Sequence, residues 1–130
     1  MFENVEILNL AEGRARHAAS RQAVVASNIA NSDTPGYRAQ DVSSFDEAYR
    51  GASARNAGMR ATRPGHIQDV SPITSTVTMD VGGEASPNGN TVSLEQEMVR
   101  SVEAQRDHTR SVTVYQSALT VLRTSVGRGR

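Results

Sequence analysis

Three histidines, a set of central carboxylates and many hydroxyls are the residues of this sequence whose types could do chemistry. A histidine can act as a general base or a metal ligand. However, His17, His66 and His108 lie far apart, outside any HExxH pattern, and no cysteine completes a metal site. Packing or solvated histidines are therefore expected. Asp41, Asp46, Glu47 and Asp69 could form an acid–base pair. They sit in a polar stretch with little apolar surface to shift a pKa, so solvated loop charges are expected there too. No GxSxG elbow frames a serine. Neither Arg63-Pro64-Gly65-His66 nor Gly82-Gly83-Glu84 matches a phosphate-binding glycine loop. The sequence points to no enzyme, no cofactor and no small-molecule substrate.

The elements that would have to position any site are two helices. Asn4 to about Ala30 carries Leu8, Ala11, Ala15, Ala18, Gln22, Val25 and Ile29 at spacings of three and four, a single stripe along one helix face. Most of that stripe is alanine, which buries little area but admits another helix closely. At 1.5 Å per residue the helix would be about 40 Å long. A second helix begins near Ser93, where Ser93-Leu94-Glu95-Gln96 fits a capping box. Its stripe runs Leu94, Met98, Ser101, Gln105, His108, Val112, Tyr115, Leu119, Leu122 and Val126. The polar centre of that stripe has two readings: a register-fixing layer in a coiled-coil seam, or a gradual rotation that brings Val99 and Val102 to the buried face. The expected interface positions, within or between subunits, are Leu8, Ala11, Ala15, Ala18, Val25 and Ile29 with Leu94, Met98, Val112, Tyr115, Leu119 and Leu122.

Between the helices, Asp33-Thr34-Pro35-Gly36 breaks the chain, with Pro and Gly placed for a type II turn. Residues 32–92 are then dominated by Ser, Thr, Gly, Ala and Asn. Alternation at Ile73, Val77, Met79 and Val81 suggests a weak strand or hairpin. The expected fold is mainly α: long terminal helices, 1–31 and 93–130, pair as a coiled-coil-like bundle around an irregular or weakly β middle segment, 32–92.

Composition agrees with a thin core. The chain has 130 residues, 37% hydrophobic and only 4% aromatic. Fourteen basic residues balance fourteen acidic ones, which argues against nucleic acid and anionic membranes as partners. The absence of cysteine excludes disulfides. The acidic start Met1–Glu6 does not look like a secretory signal, and no run reaches the roughly 18–20 apolar residues of a membrane span. These features suit an assembly subunit better than a free-standing enzyme. The other class to weigh is a soluble helical adaptor or export chaperone.

The first helix exits through Asn28-Ile29-Ala30-Asn31-Ser32-Asp33-Thr34-Pro35-Gly36-Tyr37. This segment resembles the signature of the bacterial flagellar rod, hook and hook-associated axial proteins at Asn28, Ala30, Asn31, Thr34, Pro35, Gly36 and Tyr37. The run Asn90-Thr91-Val92-Ser93-Leu94-Glu95-Gln96-Glu97-Met98, with Thr62 and His66, is similar to the proximal-rod members of that family; another rod protein is the alternative within it. The resemblance implies a structural subunit of the proximal rod in the flagellar basal body. Its implied partners are other copies of itself, adjacent rod proteins, and inner-ring and export-gate proteins. It also implies a periplasmic location, reached through the flagellar type III apparatus without a cleaved signal peptide, and a role in transmitting torque.

Overall fold

The computed structural model describes residues 2–56 and 78–127. Two long helices, α1 (Phe2–Ala30) and α3 (Leu94–Gly127), run antiparallel and pack along their length. At 1.5 Å per residue they are about 44 and 51 Å long. The intervening chain contributes a strand β1 (Gln40–Val42), a helix α2 (Phe45–Asn56) and a strand β2 (Thr78–Asp80). The strands pair antiparallel, Gln40 opposite Asp80 and Val42 opposite Thr78. The ladder continues through the Val81 amide to the Ala39 carbonyl at 3.0 Å. Among the described residues no helix is long and apolar enough to cross a membrane.

The seam between α1 and α3 is built from small and polar side chains. On α1, Ala11, Ala18 and Val25 are buried at seven-residue spacing, with Leu8, Ala15 and Ile29 half-buried beside them. On α3 the buried residues are Glu97, Ala104 and Ser111, again seven apart. That period is the coiled-coil repeat. Alanine and serine at the points of closest approach let the helices come together, while most of the larger apolar residues of α3 point outward and Val112, Leu119 and Leu122 are half-buried. Leu94, Met98, Val99, Val102, Val114, Tyr115, Val121 and Val126 are all exposed. Val99 and Val102 therefore do not rotate onto the buried face. Gln105 and His108 are exposed as well, so the polar layer expected at Ser101, Gln105 and His108 is not the seam. Glu97, Ala104 and Ser111 form it, with Ser101 half-buried.

Two local expectations are revised. Ser93 caps α3 through its carbonyl, which accepts the Glu97 amide at 3.0 Å. Its hydroxyl makes no hydrogen bond among the described residues, so the reciprocal box with Gln96 is not formed. Leu94 to Gln96 are exposed, and water can satisfy the open amides there. The middle segment also contains a helix, α2, that no apolar periodicity announces. Its signal is Ser44-Phe45-Asp46-Glu47: the Ser44 hydroxyl accepts the Glu47 amide at 3.4 Å, its carbonyl accepts the Ala48 amide at 3.1 Å, and Asp46 and Glu47 put negative charge in the first turn. Of the alternating segment, Thr78–Asp80 is a strand, paired with a β1 that the sequence did not suggest. Ile73 and Val77, with Thr62, His66 and Asp69, lie outside the described residues.

Candidate functional site: the helix junction

The Asn28–Tyr37 segment and the Asn90–Glu97 segment, distant in sequence, meet where α1 ends and α3 begins. Asn28 is 0% exposed, at the last turn of α1. Its carboxamide has two donor hydrogens and two acceptor lone pairs, and all are used. Nδ2 donates to the Gln40 carbonyl at 2.6 Å and to Glu97 Oε2 at 3.1 Å. Oδ1 accepts the Gln40 amide at 3.1 Å and the Tyr37 hydroxyl at 3.3 Å. One side chain thus joins α1, the strand β1 and α3.

The exit from α1 is a run of tight turns. The Asn31 amide reaches both the Ser27 and Asn28 carbonyls at 3.1 Å, and the Asn31 side chain donates to Ser27 O at 2.8 Å. Thr34 closes onto Asn31 through its amide at 3.0 Å and its hydroxyl at 3.2 Å. The Tyr37 amide then bonds the Thr34 carbonyl at 3.3 Å across Pro35-Gly36, and Gly36 has φ +72. This is the type II turn expected from the sequence, in which the third residue must be left-handed. No atom lies within 4 Å of a Cβ built on Gly36. Conformational strain alone should therefore make Gly36→Ala cost about 1–2 kcal/mol, read as a lowered midpoint in urea unfolding. Ala30 and Pro35 are exposed and make no comparable contact.

The second segment clamps this exit. Asn90 is 2% exposed, and its Nδ2 lies 2.8–2.9 Å from the carbonyls of Asn31, Ser32 and Thr34. These carbonyls follow the end of α1 and have no helical partner. Strand-like bonds reinforce the clamp: the Gly36 amide to Asn88 O and the Thr91 amide to Tyr37 O, both 3.0 Å, and the Ala39 amide to the Thr91 hydroxyl at 2.9 Å.

A charge cluster lies one turn further along. Arg21 holds both carboxylate oxygens of Asp41 at 3.1 Å, and Arg100 lies 3.8 Å from the same carboxylate. Arg100 also bonds Glu97, itself 1% exposed, at 2.5 Å. Gln22 donates to the Ser101 hydroxyl at 2.9 Å. Asp41 is thus no solvated loop charge, because β1 carries it into the gap between two arginines from different helices. Burial alone would raise its carboxyl pKa, but the Arg21 hydrogen bonds, the Val42 amide and the charges of Arg21 and Arg100 hold it below the ordinary carboxylate value. The Arg21 guanidinium is raised, chiefly by its bonds to Asp41.

A carboxyl whose pKa is lower in the folded state stabilises the fold above its unfolded value and loses that contribution as pH falls through the folded one. The stability advantage of the native chain over Asp41→Asn should be constant from neutrality to about pH 5. It should shrink progressively below about pH 4, near the unfolded carboxyl's pKa. Thermal melts of both proteins across that range check it.

Asp46 and Glu47 are exposed in the first turn of α2. His17 is a packing histidine: Nε2 donates to the Ser43 carbonyl at 2.7 Å, and the ring meets Phe45 edge-on at 5.7 Å. His108 is exposed. Of the expected interface residues, Ala11, Ala18 and Val25 face the seam, Val112, Leu119 and Leu122 are half-buried, and Leu94, Met98 and Tyr115 face outward. Arg21 and Arg100 carry no signal in the sequence, Glu97 stands there only as part of the Asn90–Met98 run, and Asp41 is expected there as a solvated charge. Charged residues in a polar sequence context give no periodic signal, and only folding brings them together.

The arrangement is one of joints rather than of reacting groups. Among the described residues no three His, Asp or Glu side chains converge as metal ligands. Comparison with known proteins gives a consistent picture. Residues 8–38 match the family described as flagella basal body rod protein. The flagellar basal body rod protein FlgB of Agrobacterium fabrum (strain C58 / ATCC 33970) is 32% identical over 122 residues, 89% of each chain. That of Salmonella typhimurium is 32% identical over 108 residues, 78% of each. That of Escherichia coli (strain K12) is 37% identical over 86 residues, 61% of this chain and 62% of its relative.

Proposed function

Because the chain belongs to the FlgB family of flagellar basal body rod proteins, and so is a structural protein of the basal body rather than an enzyme, we propose that it builds the proximal rod. In this reading it assembles through the outer faces of α1 and α3, with other copies of itself and with the adjacent rod proteins. The rod so formed links the inner ring and export gate to the next rod segment and transmits torque. The subunit reaches the periplasm through the flagellar type III apparatus without a cleaved signal peptide.

The observation that carries this reading is where the large apolar side chains lie. The intramolecular seam uses alanine, serine and a buried polar layer, while Met98, Val99, Val102, Val114, Tyr115, Val121 and Val126 of α3 and Ile7 and Leu10 of α1 are solvent-exposed. Single exposed apolar residues are ordinary, but this many along one helix mark a surface meant to be covered. An apolar groove of about 550 Å³ between Ile7, Leu10 and Val114, rimmed by Arg14, Asp107 and Arg110, continues it. Leu94, Met98, Val112, Tyr115, Leu119 and Leu122 are the α3 positions proposed to meet neighbours, joined by the partly exposed Leu8, Ala15 and Ile29 of α1.

The test is a double substitution of two exposed residues, Val99→Asp with Val102→Asp. Neither side chain belongs to the seam, so the helix pair should form and export should continue. The subunit should be missing from isolated basal bodies, and the cells should not swim in soft agar. Normal swimming with normal incorporation would reject this face as an assembly surface.

A further inference from the structure

The seam poses a problem of register. Its buried positions, Ala11, Ala18 and Val25 against Ala104 and Ser111, repeat every seven residues and are mostly small. Large interlocking side chains select one alignment of two helices; a row of alanines and serines offers nearly the same surface after a slide of one heptad. Yet α3 must sit at one height on α1 if its exposed face is to present a fixed surface.

We propose that the Asn28–Glu97 pair is the register lock of the helix hairpin. Asn28 is 0% and Glu97 1% exposed, and the 3.1 Å bond between them spans the two helices directly. Every hydrogen-bonding position of Asn28 is occupied. On the other side Glu97 bonds Arg100, which reaches Asp41, and Asp41 is held by Arg21 of α1. A slide by one heptad, about 10 Å, takes Glu97 away from Asn28. It leaves a buried carboxamide donor without its acceptor and dismantles the charge chain. No apolar gain in a small-residue seam offsets that loss. The Asn90 clamp, extended by the Thr91 bonds to Tyr37 and Ala39, fixes the loop ahead of α3 rather than the helix itself, because Val92 and Ser93 lie between Thr91 and the first residue of α3. The lock acts as buried polar residues do in coiled coils, where they select one alignment at some cost in stability.

The chain has no cysteine, so spin labels can be placed cleanly through Ala19→Cys on α1 and Arg106→Cys on α3, both exposed positions. Pulsed electron paramagnetic resonance on the purified full chain should give one narrow distance. In Asn28→Leu/Glu97→Leu, helicity by circular dichroism should persist while a second distance population appears, offset by a slide of about 10 Å along the helix axis. Asn28→Asp keeps the size but sets two carboxylates face to face, and should also split the population. Glu97→Gln keeps an acceptor for Asn28 and should stay single. If the leucine variant loses its helicity, Asn28→Asp decides. A single native distance in both disrupted variants overturns the lock, as does a broad distribution in the native chain.

The consequence for assembly rests on the proximal-rod reading. A slipped variant that still builds normal rods would cut that link while leaving the lock itself standing.

Discussion

Replacing Asn28 by alanine is expected to destabilise the protein by roughly 3 kcal/mol, a large share of the 5–15 kcal/mol that holds a typical domain together. The size follows from what is left behind. The Gln40 amide and carbonyl, the Tyr37 hydroxyl and Glu97 Oε2 each lose a partner. Asn28 is fully buried and its bond to Glu97 is buried with it, whereas its bonds to Gln40 and Tyr37 are part-buried. Each orphaned buried polar group costs about 1–3 kcal/mol, partly relieved where the backbone can relax. Asn28→Asp keeps the two acceptor bonds but turns the donor toward Glu97 into a second carboxylate, so it should be no milder at neutral pH. Urea unfolding followed by far-ultraviolet circular dichroism measures both. A loss under about 1 kcal/mol for the alanine variant would mean that water or a neighbouring side chain takes the vacated place.

The second large effect is expected at Arg100. Arg100→Met should cost about 3 kcal/mol, because it leaves the buried Glu97 carboxylate with only the Asn28 amide for compensation. Asp41 keeps Arg21 and suffers less. Adding Glu97→Gln to Arg100→Met removes the uncompensated charge but retains an acceptor for Asn28, so most of the lost stability should return. This recovery separates a charge-pairing role from simple loss of the arginine's packing: a double variant as unstable as the single one would assign the effect to packing. It also bears on the register lock, which requires the pair to select an alignment and does not require it to stabilise one. The combined measurements should show stability and register responding differently to the same residues.

Much of this architecture was legible in the order of the residues. The three-and-four spacing from Leu8 to Ile29 places a helix there, and α1 ends at Ala30 as the turn signals required. Pro35 followed by Gly36 specifies a type II turn, because few residues other than glycine accept φ near +72. A helix beginning after Ser93 follows from its cap position and the acids behind it. All of these are local, and each is decided by residues within a few positions of one another. Even α2 has a local signal, the Ser44-to-Glu47 cap, although its helix lacks an apolar stripe.

What the chain order could not decide is which groups meet across long separations. The apolar stripe of α3 marked Leu94, Met98 and Tyr115 as interface positions without deciding whether α1 or another subunit covers them. The tertiary structure turns them away from α1 and buries Glu97, Ala104 and Ser111 instead. Periodicity reports where apolar residues lie on a helix, but not whether their partner is the same chain or another copy. Small residues carry almost no hydropathy signal, although they alone permit close helix approach. Likewise the two motifs, at Asn28 and at Asn90–Glu97, stood in the sequence as separate signatures 69 residues apart at the bond that joins them. Their meaning as one joint appears only when the fold buries both and each must satisfy the other's hydrogen bonds in the absence of water.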